Sequence, residues 1–240
     1  MLTKNQIKLI RSLRIKKNRN KHGLFVAEGE KIVDELLDSN LKLYHLFTTE
    51  DKYEFSENYT VLKSHELEKI SILKTPNKVL AVFEIPELME IDFNKNIIAL
   101  EEINDPGNLG TIIRLCDWYG IKDIICSKKS VDCFNPKTIQ SSMGSISRVN
   151  ISYIDFNSFS KKKHNMVASD LKGEKLKDFV FTSNHIIFFG SESSGFSEKL
   201  SSKIDDKITI ERFNNKVESL NLATSVGIVL SELKSQITGK

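Results

Sequence analysis

Three short segments carry residue types that can bind an anion, grip a ligand or stabilise a developing charge. The first is NDPGNLGTIIRL, Asn104 to Leu115. Gly107 and Gly110 let the backbone turn sharply, and a helix opening there, over Gly110 to Tyr119, offers unpaired N–H groups to an anion. Arg114 falls on the first turn or so of that helix, where a guanidinium takes phosphate through two parallel N–H donors. The bland alternative is a surface arginine on an amphipathic helix. The second segment is IIFFGSESSGFS, Ile186 to Ser197. GSESSG has the glycine spacing of a phosphate-cradling loop, but that motif needs Lys-Ser/Thr after its second glycine and this chain has Phe196 and Ser197. An ATPase is excluded. A strand end remains, with Gly190 and Gly195 able to wrap closely around a ligand and Glu192 suited to bracing the turn. The third segment, Lys207 to Leu233, reads as a strand ending near Ile210, a polar loop to Lys216 and a helix from near Ser219. Ser219 is an N-cap by residue type. By spacing alone, Ser219 and Asn221 are caps and nothing more. Ala223, Thr224 and Gly227 predict close packing of this last helix against another element.

The elements that must position these loops follow from periodicity. Beyond a polar, acidic stretch from Pro86 to Asn94, strand, glycine turn and helix repeat in order. Strands are expected at Ile97 to Glu101, Asp123 to Cys126, Arg148 to Ser152, Met166 to Ala168, Ile186 to Phe189 and Lys207 to Ile210. Helices are expected at Gly110 to Tyr119, Pro136 to Met143, Asp155 to Ser160, Ser197 to Ser202 and Leu220 to Gln236. Alternation with continuous apolar strands implies a mostly parallel sheet covered on both faces, with ligands beyond its C-terminal strand ends. Ahead of the stretch, Thr3 and Gln6 form a possible capping box before Ile7, Ile10 and Leu13. A helix over Glu30 to Leu37, strands at Leu43 to Thr48, Tyr59 to Leu62 and Val79 to Ile85, and a helix from Ser64 to Ile72 capped by Ser64 complete a small α/β unit. The expected division is 1–88 and 95–240.

Charge is uneven. The 240 residues carry a net charge of only +3, yet Lys4, Lys8, Arg11, Arg14, Lys16, Lys17, Arg19 and Lys21 precede the first acidic residue, Glu28. Such a block suits a polyanion; it also suits a solvated helix face with a basic arm. Cys116, Cys126 and Cys133 lack CxxC spacing, so neither a disulfide framework nor a zinc site is expected. No apolar run approaches the roughly 20 residues of a membrane span. A cytoplasmic protein with no metal and no membrane partner is the expectation. The run Lys161 to Lys163 reads as an exposed helix end.

Taken together and in this order, the three segments resemble the signature motifs of the SpoU/TrmH methyltransferases of the SPOUT superfamily. DPGNLGTIIR resembles the first motif, FFGSESSG the second and VESLNLATS the third, while FNPKTIQSSMGSI is similar to the family's intermediate segment. KNRNKHGLFVAEGEKIVDELL resembles the substrate-binding domain common among these enzymes. The resemblance implies an α/β fold with a trefoil-knotted C-terminal methyltransferase domain, a small N-terminal α/β substrate-binding domain, and a homodimer. It implies S-adenosyl-L-methionine as cofactor, gripped around Gly190, Gly195, Ile210 and Leu220, and methyl transfer to a ribose 2′-hydroxyl of rRNA or tRNA. Arg114 would hold phosphate and stabilise the developing alkoxide, Ser219 and Asn221 would position ribose or cofactor, and Asn108 and Glu192 would brace the loops. The chain departs from the family pattern at Glu211 to Asn215, where a Pro-Met pair and a glycine are usual, and at Gln140, where many relatives carry a basic residue. The contrasting expectation is a non-catalytic RNA-binding or ribosome-assembly protein on the same fold.

Overall fold

A computed structural model describes residues 2–53, 58–159, 164–182, 184–192, 194–204, 206–214 and 216–238. The chain divides into two compact units, one of Met1–Glu87 with Asp132–Ser147, the other of Leu88–Val131 with Arg148–Lys240. The run Lys161 to Lys163 lies outside the described residues, as do Ser160, Ser193 and Asn215.

The first unit begins with α1 (Lys4–Ser12), where Gln6 N–H donates to the Thr3 hydroxyl at 3.2 Å and Thr3 N–H donates to Gln6 Oε1 at 2.9 Å. This is the expected capping box, and it sets Ile10 and Leu13 into the core. Then come α2 (Lys16–His22), β1 (Leu24–Glu28), α3 (Glu30–Leu37), β2 (Leu43–Thr48), β3 (Tyr59–Val61), α4 (Ser64–Leu67) and β4 (Val79–Glu84). The sheet order is β1-β4-β2-β3, antiparallel except for the β2/β3 pair. Two elements, α2 and β1, were not expected from the pattern: KKNRNKH has no apolar periodicity, and LFVAE is buried at every position and so does not alternate. Ser64 is the first residue of α4 and not its cap, and that helix stops at Leu67 instead of Ile72. What holds the following turn is Glu28, a buried carboxylate that accepts from Ser71 Oγ at 2.6 Å, Ile72 N–H at 2.7 Å and Asn77 N–H at 3.1 Å.

The second unit carries β5 (Ile97–Leu100), α5 (Pro106–Trp118) and β6 (Asp123–Ser127). The chain then supplies α6 (Pro136–Ser142) to the first unit and returns as β7 (Asn150–Ile154), β8 (Asn165–Lys175), β9 (His185–Phe189), α7 (Glu198–Ser201), β10 (Asp206–Thr209) and α8 (Leu222–Thr238). All pairings in the sheet β10-β8-β9-β5-β6-β7 are parallel, and β5, β6 and β9 are buried along nearly their whole length, as the continuous apolar runs require. The stretch expected to be helical from Asp155 is a single 3-10 turn, Phe156–Ser158.

Three differences from expectation matter for the site. Helix α5 starts at Pro106, with the Asp105 carboxylate accepting from Asn108 N–H at 2.8 Å, so Arg114 sits in the third turn and not the first. Proline at the first helical position needs no N–H partner, which is why the helix opens ahead of both glycines that suggested a turn. Helix α8 starts at Leu222, and its N-cap is Asn221, whose Oδ1 accepts from Thr224 N–H at 3.3 Å; Ser219 lies two residues upstream in the preceding loop. Strand β8 runs past Ala168 to Lys175, its pairing with β10 jumping from Ala168 opposite Lys207 to Glu174 opposite Ile208. The residues 169–173 bulge out between these pairings. Gly173 makes the bulge possible, since a Cβ there would lie 2.5 Å from the Lys207 carbonyl oxygen.

Candidate active site

The chain runs from β5 through α5 to β6 on one side, whereas β9, the neighbour on the other side, continues through α7 to β10 at the opposite edge. Where connections diverge in this way a crevice opens beyond the C-terminal strand ends. The ends of β8, β9 and β10 and the loop before α8 enclose a cleft of about 590 Å³ there. Gly190, Gly195, Ile210 and Leu220, the four residues expected to grip a cofactor, all line it, together with Glu192 and Ser219. Its wall after β9 is a closed turn: Ser191 N–H donates to the Gly195 carbonyl and Gly195 N–H to the Ser191 carbonyl, both at 2.9 Å. Gly195 has φ +64°, and a Cβ on Gly190 would stand 2.6 Å from the Gly195 carbonyl carbon. A side chain at either place strains or opens the turn.

Asn108, Glu192 and Asn221 form one hydrogen-bonded chain that joins the three segments. Asn221 Nδ2 donates to Asn108 Oδ1 at 3.1 Å, and Asn108 Nδ2 donates to Glu192 Oε1. With its own Oδ1 on Thr224 N–H, Asn221 couples the start of α8 to α5 and through it to the glycine turn. Each amide therefore has its orientation fixed by a partner at both ends. Ser219 has no hydrogen-bond partner among the described residues and is exposed. Arg114 does not line the cleft; it is exposed on α5 and has no hydrogen-bond or ion-pair partner among the described residues. Its guanidinium is available to an incoming anion.

Helix α8 lies against α5, and a Cβ on Gly227 would meet the Leu115 methyl groups at 3.5 and 3.6 Å. Gly227 and buried Ala223 thus account for the close approach, whereas Thr224 faces solvent.

Several lining residues escaped the sequence reading. Ser169, Asp170 and Leu171 come from the bulge in β8, and the isolated glycine in a strand was its signal. Burial alone would raise the Asp170 carboxyl, but the Lys172 amide and the Lys207 ammonium, 3.1 Å away, outweigh this and hold it below the usual range. Glu211 is held low chiefly by its hydrogen bond with Lys175. Glu101, buried just beyond the end of β5, carries no motif in the sequence that marks it as part of the site. It accepts from Ser197 Oγ at 2.6 Å and Ser197 N–H at 2.9 Å, anchoring the far side of the glycine turn.

The cleft's charge and shape define what fits it. Its described lining carries Asp170, Glu192, Glu211 and Glu218 against one cation, Arg212, and offers apolar Leu171, Phe189, Phe196 and Leu222 beside exposed backbone. That suits a flat apolar group joined to a positive centre, the make-up of a sulfonium nucleoside such as S-adenosyl-L-methionine. Its volume is that of a small-molecule site.

Residues 95–231 match the SpoU rRNA Methylase family, and residues 4–81 match the MRM3-like substrate binding domain. The chain belongs to the SpoU family. It is 27% identical to the 23S rRNA (guanosine(2553)-2′-O)-methyltransferase RlmP of Bacillus subtilis, over 96% of this chain and 97% of that protein. Its fold superposes on a TrmH-family structure from Porphyromonas gingivalis with TM-score 0.87, at 32% identity over 97% of this chain and 98% of that one. An AdoMet-bound rRNA methyltransferase from Sinorhizobium meliloti is similar with TM-score 0.86, at 26% identity over 99% of this chain and 97% of that one. The family assignment is thus as the three segments suggested, and the N-terminal substrate-binding domain as the segment KNRNKHGLFVAEGEKIVDELL suggested.

Proposed function

We propose that this SpoU-family chain is a cytoplasmic, S-adenosyl-L-methionine-dependent methyltransferase acting on a ribose 2′-hydroxyl of ribosomal RNA. The observation that carries the reading is the Asn221–Asn108–Glu192 chain, which ties all three signature segments together beside a cleft of cofactor size. Support for the cofactor comes from the AdoMet-bound relative, and support for rRNA over tRNA from the names of relatives such as the Bacillus subtilis enzyme. Backbone around Gly190, Ile210 and Leu220 would hold the cofactor, and the closed Ser191–Gly195 turn keeps that backbone in place before binding.

When bound, the cofactor supplies a methyl group on a sulfonium. The 2′-oxygen would be the nucleophile toward that methyl group, with the thioether as leaving group, and the hydroxyl proton would pass to solvent or an acceptor on the RNA. Arg114 holds the adjoining phosphate and stabilises charge growing on the 2′-oxygen; a guanidinium stays protonated, so electrostatic stabilisation is its role. Asn108, Glu192 and Asn221 keep the three segments in register, and Ser219, without a hydrogen-bond partner among the described residues, contacts ribose or cofactor. Fixing both reactants supplies a large part of the rate enhancement. The knot and the division at 88–95 belong to this reading. So does a homodimer, supported by Trp118 at 83% exposure on α5 and Phe213 at 95% in the loop before α8.

The test is to incubate the protein with methyl-labelled cofactor and deproteinised ribosomal RNA, then hydrolyse with alkali. Label in alkali-resistant dinucleotides is expected, because a 2′-O-methyl ribose blocks cleavage. Absence of transfer together with absence of S-adenosylhomocysteine binding would instead favour a non-catalytic RNA-binding protein.

A further inference from the structure

The first unit has a recess of its own, about 390 Å³, between α1 and β2. Its floor is apolar: Ile10, Phe47 and Val82 are almost wholly buried there. Its rim is polar, uncharged and aromatic. Tyr44 presents a ring at 47% exposure, and Asn5 and Asn58 bring side-chain amides with no hydrogen-bond partner among the described residues. Gln6 has its Oε1 occupied by the Thr3 N–H and hydroxyl, both at 2.9 Å, which leaves Nε2 to donate outward. The His45 ring lies tilted against Phe47, with centroids 4.6 Å apart, and is fixed by Thr60 Oγ1 at 2.9 Å. Burial lowers its pKa and so favours the uncharged ring.

Cations stand close by, outside the recess. Lys4 and Lys8 are exposed on the same helix, α1, with no partner among the described residues. An uncharged pocket that combines an aromatic face with free amide donors and acceptors, beside lysines, has the chemistry of a nucleotide split into its parts. The flat base stacks and hydrogen-bonds along its edge, while the phosphates meet the ammonium groups. An acidic peptide would want its cations inside the recess, and a lipid chain would leave the amides unmatched.

We propose that this recess receives one unpaired nucleobase of the RNA substrate, stacked on Tyr44 and read by Asn5, Gln6 and Asn58. The proposal rests on the RNA-methyltransferase reading for the identity of the polyanion, and it adds a base-reading contact made by the first unit.

The experiment uses the full chain saturated with S-adenosylhomocysteine, so that adenosine-like fragments cannot enter the cleft of the second unit. Adenine, cytosine, guanine and uracil RNA tetranucleotides are titrated while the side-chain amide NMR signals of Asn5, Gln6 and Asn58 are followed. Saturable shifts with at least one tetranucleotide are expected, absent with an abasic tetranucleotide and lost in Tyr44→Ala. No shift with any base, or equal shifts with the abasic strand, would overturn the proposal. In methylation assays Tyr44→Ala should raise KM for RNA about tenfold, with kcat and cofactor affinity unchanged. An unchanged KM also overturns it. Wild-type protein that transfers no methyl group would count against the enzymatic reading instead, and the NMR titration would still decide the recess.

Discussion

Arg19 and Arg114 are the same residue type in opposite surroundings. Arg19, from the basic N-terminal block, is 1% exposed; Nε and Nη2 both donate to Asp132 Oδ2 and Nη1 donates to the Leu13 carbonyl at 2.8 Å. Arg114, from the first signature segment, is exposed and unpartnered among the described residues. Two more arginines of the basic block, Arg11 and Arg14, donate to the carbonyls of Lys69 and Ser71. A run of positive charge in the first unit is therefore partly scaffold. Among its members, Lys4, Lys8, Lys17 and Lys21 are exposed without a partner among the described residues and are left for a polyanion. The difference teaches that charge type alone says nothing about availability; what counts is whether the fold has already given the group a partner.

The contrast yields predictions that can break it. Arg19→Ala strands the Asp132 carboxylate in a buried site and should cost about 3–5 kcal/mol of stability, whereas replacing both partners by apolar residues of similar size should recover much of that. Chemical denaturation checks both, and a small loss in Arg19→Ala would mean the pair is not the anchor described. Glu101→Ala removes the acceptor of two hydrogen bonds that pin Ser197 and should cost about 1–3 kcal/mol and weaken cofactor binding. Unchanged affinity by calorimetry would detach Glu101 from the glycine turn. Asn221→Ala deletes the α8 cap and its bond to Asn108, with an expected loss of about 1 kcal/mol on thermal unfolding. Smallest of all, Lys17→Ala and Lys21→Ala should leave stability untouched and lower the salt slope of RNA binding by about 1 each.

How much of this was legible beforehand differed between the two units. In the second, long apolar runs alternating with helices specified a parallel sheet, and the three loops at its strand ends carried enough fixed residue types to be recognised. The helix starts were misjudged because local rules rank Gly107, Gly110 and Ser219 as obvious punctuation, while the fold used Asp105, Pro106 and Asn221. The strand loses its apolar pattern after Ala168, so the isolated Gly173 is the one sequence signal for the bulge at 169–173 that brings Asp170 and Leu171 into the cleft. In the first unit α2 and β1 were missed, since one is almost wholly polar and the other wholly buried. No spacing rule could pair Arg19 with Asp132, which are 113 residues apart.

The central claim is that the Gly190–Leu220 cleft holds the cofactor while Arg114, outside it, acts on the RNA. The measurement that tests it most directly is made on Arg114→Ala, with S-adenosylhomocysteine affinity by calorimetry and methyl transfer to ribosomal RNA followed on the same preparation. The account predicts wild-type affinity and methyl transfer reduced about 10²–10³-fold. Full transfer by Arg114→Ala, or a loss of cofactor affinity that matches the loss of activity, would contradict it.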